Sequence, residues 1–141
     1  MANEERARSI VNKMYDNDPF SQWLGIERLE AGPGHCRLRM KIRREMLNGF
    51  GIAHGGITFS LADSAFAFAS NSRGRHAVSV DASISHTVPL KEGDIITAIA
   101  TEEQLGHRIG HYRVEVRNEA GDMVALFRGI VYRKSQEWEV G

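Results

Sequence analysis

The chain has 141 residues, 42% of them hydrophobic and 26% charged, with 18 Lys plus Arg against 18 Asp plus Glu. That is the length and composition of one globular domain. A formal charge of zero argues against a nucleic-acid partner, because neutralising phosphates takes a basic face.

The first eight residues are charged and lead into no apolar segment, unlike a secretory signal. The longest apolar run, residues 55–70, is too short to span a bilayer and carries Asp63 in its middle, so no membrane association is expected. The single cysteine, Cys36, cannot form an internal disulfide and suits a reducing compartment. A cytoplasmic location is the expectation.

Ala7, Ile10, Val11 and Met14 recur at helical spacing within residues 4–17, which predicts a short amphipathic helix broken at Asn17-Asp18-Pro19. A second helical piece is expected around Phe20–Leu24. From Gly25 the period becomes two. Cys36, Leu38, Met40 and Ile42 alternate with His35, Arg37, Arg39 and Lys41, the pattern of a strand with one face buried. Residues 26–30 should pair with it through Gly32-Pro33-Gly34.

Residues 55–70 are rich in Ala and Leu, lack proline and run to Asn71 and Gly74, so they predict the central helix. Its apolar residues cover nearly all sides, and such a helix must be enclosed. Four strands follow, Val78–Val88, Ile95–Glu102, His111–Asn118 and Met123–Tyr132. Turns at 91–94, 106–110 and 119–122 are expected to join them as one antiparallel meander. In the first, Val78, Val80, Ala82, Ile84 and Val88 should share the buried face. The fold class is α+β, a curved antiparallel sheet wrapped around one long helix. Enclosing that helix takes strong curvature or a second copy of the chain.

Asp63 stands mid-helix among Ala62, Ala65, Phe66 and Ala67. Desolvating an unpaired carboxylate costs several kcal/mol, on the order of a domain's net stability. One reading is a narrow polar stripe with Ser60 and Ser64, or an arginine partner from a strand; the other is a base or nucleophile at the edge of a cleft. Directly before the helix lies Asn48-Gly-Phe-Gly-Ile-Ala-His54-Gly55-Gly56. Its glycines let backbone approach a ligand closely, and the helix start offers free amides and the positive dipole end to a negative oxygen. Gly55 or Gly56 would donate, with Asn48 and His54 fixing loop or substrate. Gly55 and Asp63 are about 12 Å apart along a helix, too far to act on one carbonyl. The spacing therefore predicts a homodimer with two equivalent sites, each taking the glycine end from one subunit and Asp63 from the other.

The pattern Asn48-x5-His54-Gly55-Gly56-x6-Asp63, with Leu61-Ala62 before the carboxylate and Ala65-Phe66-Ala67 after it, resembles the hotdog-fold acyl-CoA thioesterases, most closely the phenylacetic acid degradation type. The resemblance covers residues 15–134. It implies hydrolysis of a CoA thioester, with an aryl, hydroxyphenylacetyl or short- to medium-chain acyl group, and a homotetramer of two dimers. By the same resemblance Asp63 matches the catalytic carboxylate, Asn48 the amide that orients water or thioester, Gly55 the donor to the thioester carbonyl, and His54 the histidine beside it. Gly56 and Ser79 fall at substrate-binding positions. Residues 1–24 then form an N-terminal helical segment, 25–134 the hotdog domain and 135–141 a tail.

No metal or cofactor is expected. His107 and His111 supply two ligands where zinc needs three or four, and no phosphate-binding or dinucleotide glycine pattern, metalloprotease helix or nucleophile elbow is present. Cys36 falls in register with core residues. Arg73, Arg75, Arg108, Arg128 and Arg133 are expected to be solvated, with one or two available to CoA phosphates. Phe59, Phe66 and Phe68 fit core packing better than an acyl pocket. A non-catalytic acyl-CoA-binding protein of the same fold is the competing reading. A hydratase fits less well, because no histidine follows Asp63 before His76.

Overall fold

A computed structural model describes residues 2–141. Helix α1 (Asn3–Asp16) buries Ala7, Ile10 and Val11, has Glu4 and Glu5 in its first turn and Lys13 in its last, and so complements its dipole at both ends. Helix α2 (Pro19–Leu24) starts on Asp18, whose side chain accepts the Ser21 N–H, and stops at Gly25 with φ 75°, a left-handed position that glycine adopts without strain. Strands β1 (Glu27–Gly32) and β2 (His35–Lys41) form a hairpin. After a 3-10 turn (Arg44–Met46) and an irregular loop come α3 (Gly55–Asn71), β3 (Arg75–His86), β4 (Ile95–Leu105), β5 (Ile109–Asn118) and β6 (Met123–Glu137).

The six strands make one antiparallel sheet in the order β1-β2-β4-β5-β6-β3, and α3 packs against five of them and touches the sixth. This is the curved sheet around one long helix expected for the α+β class. Leu61, Phe66 and Phe68 from α3 meet Leu38, Ile96, Val114 and Phe127 from the sheet. Phe66 and Phe68 are core residues, and half-buried Phe59 lies edge-on to Phe127 at 5.4 Å. Cys36 is buried in register with Leu38 and Met40, and burial pushes its thiol up to about 12. That makes it a packing residue and a poor nucleophile. No helix among the described residues is long and apolar enough to cross a membrane.

Two expectations fail, both at β3. Only β4, β5 and β6 form a meander; β3 pairs with β6 at the far edge of the sheet. The 91–94 turn does not fold β3 back onto β4. It docks on the end of β2, where the Ile42 N–H donates to Asp94 O at 2.8 Å and the Gly93 N–H to Ile42 O at 2.8 Å. That starts β4 alongside β2. Within β3, a bulge between Ser79 and Asp81 adds a residue to the strand and inverts its facing. Ala82 and Ile84 still pack on the core with Ala77, whereas Val78 and Val80 turn outward and Val80 is 59% exposed. Strand β6 runs to Glu137, past the expected tail boundary at 134, and Trp138 Nε1 donates to Asn71 Oδ1 at 2.9 Å.

Gly129 on β6 is buried beneath Phe66, and a Cβ there would come within 2.6 Å of the ring. Gly129→Ala is therefore expected to destabilise the fold by about 1–3 kcal/mol through overpacking. A thermal melt unchanged from wild type would show that Phe66 has room to move.

Candidate active site

The loop between the 3-10 turn and α3 is held at several points. Asn48 and Ile52 bond through the Asn48 N–H and Ile52 O at 2.8 Å, and the Gly51 N–H donates to Asn48 O at 3.0 Å. Gly51, at φ 76°, allows this tight turn. The Asn48 side chain closes it: Oδ1 accepts the Phe50 N–H at 2.9 Å. With the oxygen spent on the loop, the Nδ2 amide hydrogens remain available as donors. The Ala53 N–H donates to Leu90 O and the His54 N–H to Met46 O, both at 2.8 Å.

His54 is the N-cap of α3. Its Nδ1 accepts the Gly56 N–H at 2.9 Å, so in the neutral ring Nε2 carries the proton. The Gly56 amide, expected to bind substrate, is thereby committed within the chain. Gly55, the first helical residue, has no intrahelical acceptor for its N–H, and none among the described residues takes it.

A cavity of about 320 Å³ opens at this helix end, and Asn48, Gly55, Thr58, His86, Leu90 and Val124 line it. Asn48 and Gly55 thus come together as expected. His54 stands beside the cavity as a cap. Asp63 lies outside it, two turns further along α3. Ser79 also lies outside, exposed at the β3 bulge opposite Val131.

Asp63 is half-buried, and burial alone raises its pKa. Ser60 and Ser64 are half-buried like Asp63, but neither hydroxyl is directed to it. Ser60 Oγ donates to Gly56 O at 2.6 Å, and Ser64 Oγ bonds Ser21 Oγ at 2.8 Å, which in turn donates to Asp18 Oδ2 at 2.6 Å. No ion pair among the described residues includes Asp63. An unpartnered carboxylate in a desolvating site is a stronger base than an exposed one. Gly56, Ser60, Asp63 and Ala67 form a stripe along α3 that the chain's own sheet leaves partly open.

His86, absent from the sequence-based set, sits at the end of β3 with its ring against Gly55. Only the β3–β6 pairing brings it there, so local sequence carries no signal for it. Among the arginines, Arg73 pairs with Glu102 and Arg128 with Glu103, while Arg75, Arg108 and Arg133 donate to backbone carbonyls. No three His, Cys, Asp or Glu side chains converge among the described residues.

The family model described as Thioesterase superfamily matches residues 50–125. The Escherichia coli K12 protein named acyl-coenzyme A thioesterase PaaI is 41% identical over 128 residues, 91% of each chain. The solved structure of the E. coli PaaI protein from the phenylacetic acid degradation operon superposes with a TM-score of 0.94 at 37% identity, covering 96% of this chain and 99% of that one. A hypothetical thioesterase of Streptococcus pneumoniae TIGR4, solved with coenzyme A, matches at a TM-score of 0.77 and 25% identity, over 80% of this chain and 91% of that one.

Proposed function

Because the chain belongs to the thioesterase superfamily, we propose that the cavity at the start of α3 receives the thioester of an acyl-CoA and that Asp63 of a second copy completes the site. The chain is an acyl-CoA thioester hydrolase. It splits its substrate with water into a free acid and CoA.

The observation that carries the assignment of the site is the unpartnered Gly55 N–H opening on the same cavity as the Asn48 side chain. The thioester oxygen accepts from the Gly55 amide, where the helix dipole favours the negative charge that develops on it. Asn48 Nδ2 orients the thioester or the attacking water. His54 holds the first turn in place, and Gly56 serves as its anchor. Asp63 takes a proton from water as it attacks the carbonyl carbon, or attacks that carbon itself to form an anhydride that water then opens. In both routes the C–S bond breaks and the sulfur leaves with CoA. None of these steps calls for a metal. Ser79, on the exposed β3 edge, would reach a substrate only across the interface between two copies.

The acyl group proposed is the aryl, hydroxyphenylacetyl or short- to medium-chain group that the family resemblance implies. The exposed β3 edge supports a homodimer, and two such dimers give the homotetramer that the family resemblance implies. The buried lone thiol supports a cytoplasmic location. Thiol release from a panel running from acetyl- to palmitoyl-CoA, with phenylacetyl- and hydroxyphenylacetyl-CoA included, is expected to favour the compact acyl groups. Binding without release across the whole panel would make this a carrier and not an enzyme.

A further inference from the structure

Resting on the hydrolase reading above, we propose that His86 is a catalytic residue: its Nε2–H is a second hydrogen-bond donor to the thioester oxygen that the Gly55 amide holds. The ring meets Gly55 tip first. A Cβ built on Gly55 would lie 3.2 Å from His86 Nε2, 3.6 Å from Cε1 and 3.9 Å from Cδ2. A Cβ on a helix leans toward the N-terminus, the side on which the free amide of Gly55 also opens. A Cβ lies roughly 2.5 Å from its own amide nitrogen, so His86 Nε2 and the Gly55 nitrogen are at most about 5.7 Å apart. One oxygen can then sit about 2.9 Å from both, an ordinary length for two N–H···O bonds.

The backbone that carries the ring is also fixed in place. His86 pairs with Ala125 of β6. The next residue, Thr87, is pinned through its N–H to Val124 O at 2.9 Å and through its hydroxyl to Met123 O at 3.1 Å. Further on, the bond from the Ala53 N–H to Leu90 O ties this segment to the Asn48–Gly55 loop. The two walls of the cavity therefore move together, and the His86 side chain, which makes no hydrogen bond of its own among the described residues, faces the one free amide of the helix start. An exposed histidine at a strand end is ordinarily a solvated one. The cavity and the direction of Nε2 set this one apart.

The same arrangement gives Gly55 a second reason to be glycine: any side chain there would press on the imidazole and close the space for the oxygen. Steady-state kinetics of wild type, His86→Leu and His86→Gln on the acyl-CoA turned over fastest by wild type tests the proposal. His86→Leu is expected to lower kcat about a hundredfold to a thousandfold, the range for loss of one such donor, with KM within about twofold because the donor acts on charge that develops only in the transition state. His86→Gln, whose amide nitrogen can donate from nearly the same place, is expected to recover most of that loss. Thermal melts of all three proteins accompany the kinetics and are expected to coincide. Wild-type kcat in His86→Leu would overturn the proposal, as would a His86→Gln variant as slow as His86→Leu, since a packing role is indifferent to the donor. Both results leave the hydrolase reading standing. Absence of thiol release by wild type would remove that reading and the role of His86 with it.

Discussion

Replacing Asp63 with asparagine is expected to lower CoA release at least about a hundredfold, the lower range for loss of a positioned base, while raising the melting temperature at neutral pH. The two effects share one cause. Burial raises the carboxyl's pKa in the folded chain, with no hydrogen bond or cation to offset it. A group whose folded pKa lies above its unfolded value contributes stability below the unfolded pKa and loses it as pH rises through the folded one. Ionised, Asp63 is a poorly solvated group that the fold tolerates at a cost, and asparagine removes the charge while keeping the shape. The gap in melting temperature between variant and wild type should narrow as pH falls through the raised folded pKa and be closed below the ordinary carboxylate range. The acid limb of the wild-type rate profile should fall at a pH above that range, because only the ionised form can take a proton or attack. A variant that hydrolyses at near-wild-type rate would remove Asp63 from the chemistry. One that melts lower than wild type would mean that the carboxylate has a partner in the assembled protein.

A heterodimer of an Asp63→Asn chain and an Asn48→Ala chain, each inactive as a homodimer, is expected to recover about half of wild-type turnover per dimer, since two-fold symmetry leaves it with one intact site and one doubly defective site. The reason is distance. Gly55 and Asp63 sit about 12 Å apart along α3, and the cavity at Gly55 does not reach Asp63. Strand β3 ends the sheet with unpaired backbone groups along its outer side and with outward-turned Val78 and Val80. Phe50, at the tip of the site loop, is 90% exposed. A second copy laid against that edge would cover these residues and the open stripe of α3 together. Tagging the two chains differently and purifying the mixed species makes the measurement direct. If each chain held a complete site, both sites of the heterodimer would be defective and activity would stay at background.

Much of this was readable from residue order alone. The two-residue alternation of Cys36, Leu38, Met40 and Ile42 and the length of the run from Gly55 to Asn71 report local geometry, so they located β2 and α3. The Asn48, His54 and Gly55 spacing pointed to the loop and helix start that border the cavity, because a helix start and its preceding loop are contiguous in sequence. What escaped depends on contacts between distant segments. The bulge in β3 is imposed by its register on β6, and one added residue was enough to send Val78 and Val80 to the opposite face. The turn at 91–94 has hairpin composition, yet Ile42 captures it. His86 reaches Gly55 only because β3 lies at the far side of β6, a placement that alternation within β3 cannot encode. The commitment of the Gly56 amide to His54 likewise needed the side chain's rotamer, which no spacing supplies.

The position of β3 also bears on how the protein is made. Helix α3 is the most apolar segment, yet four of the strands that cover it, β3 to β6, are encoded after it, and β3 cannot dock until β6 exists to receive it. At ribosomal rates of roughly 5–20 residues per second, the helix waits on the order of 10 s for its cover. During that interval Leu61, Phe66 and Phe68 are open to any apolar surface nearby. Newly made chains should therefore depend on chaperones that hold nascent polypeptides, and yield in a cell should respond more to that supply than to the equilibrium stability of the finished fold.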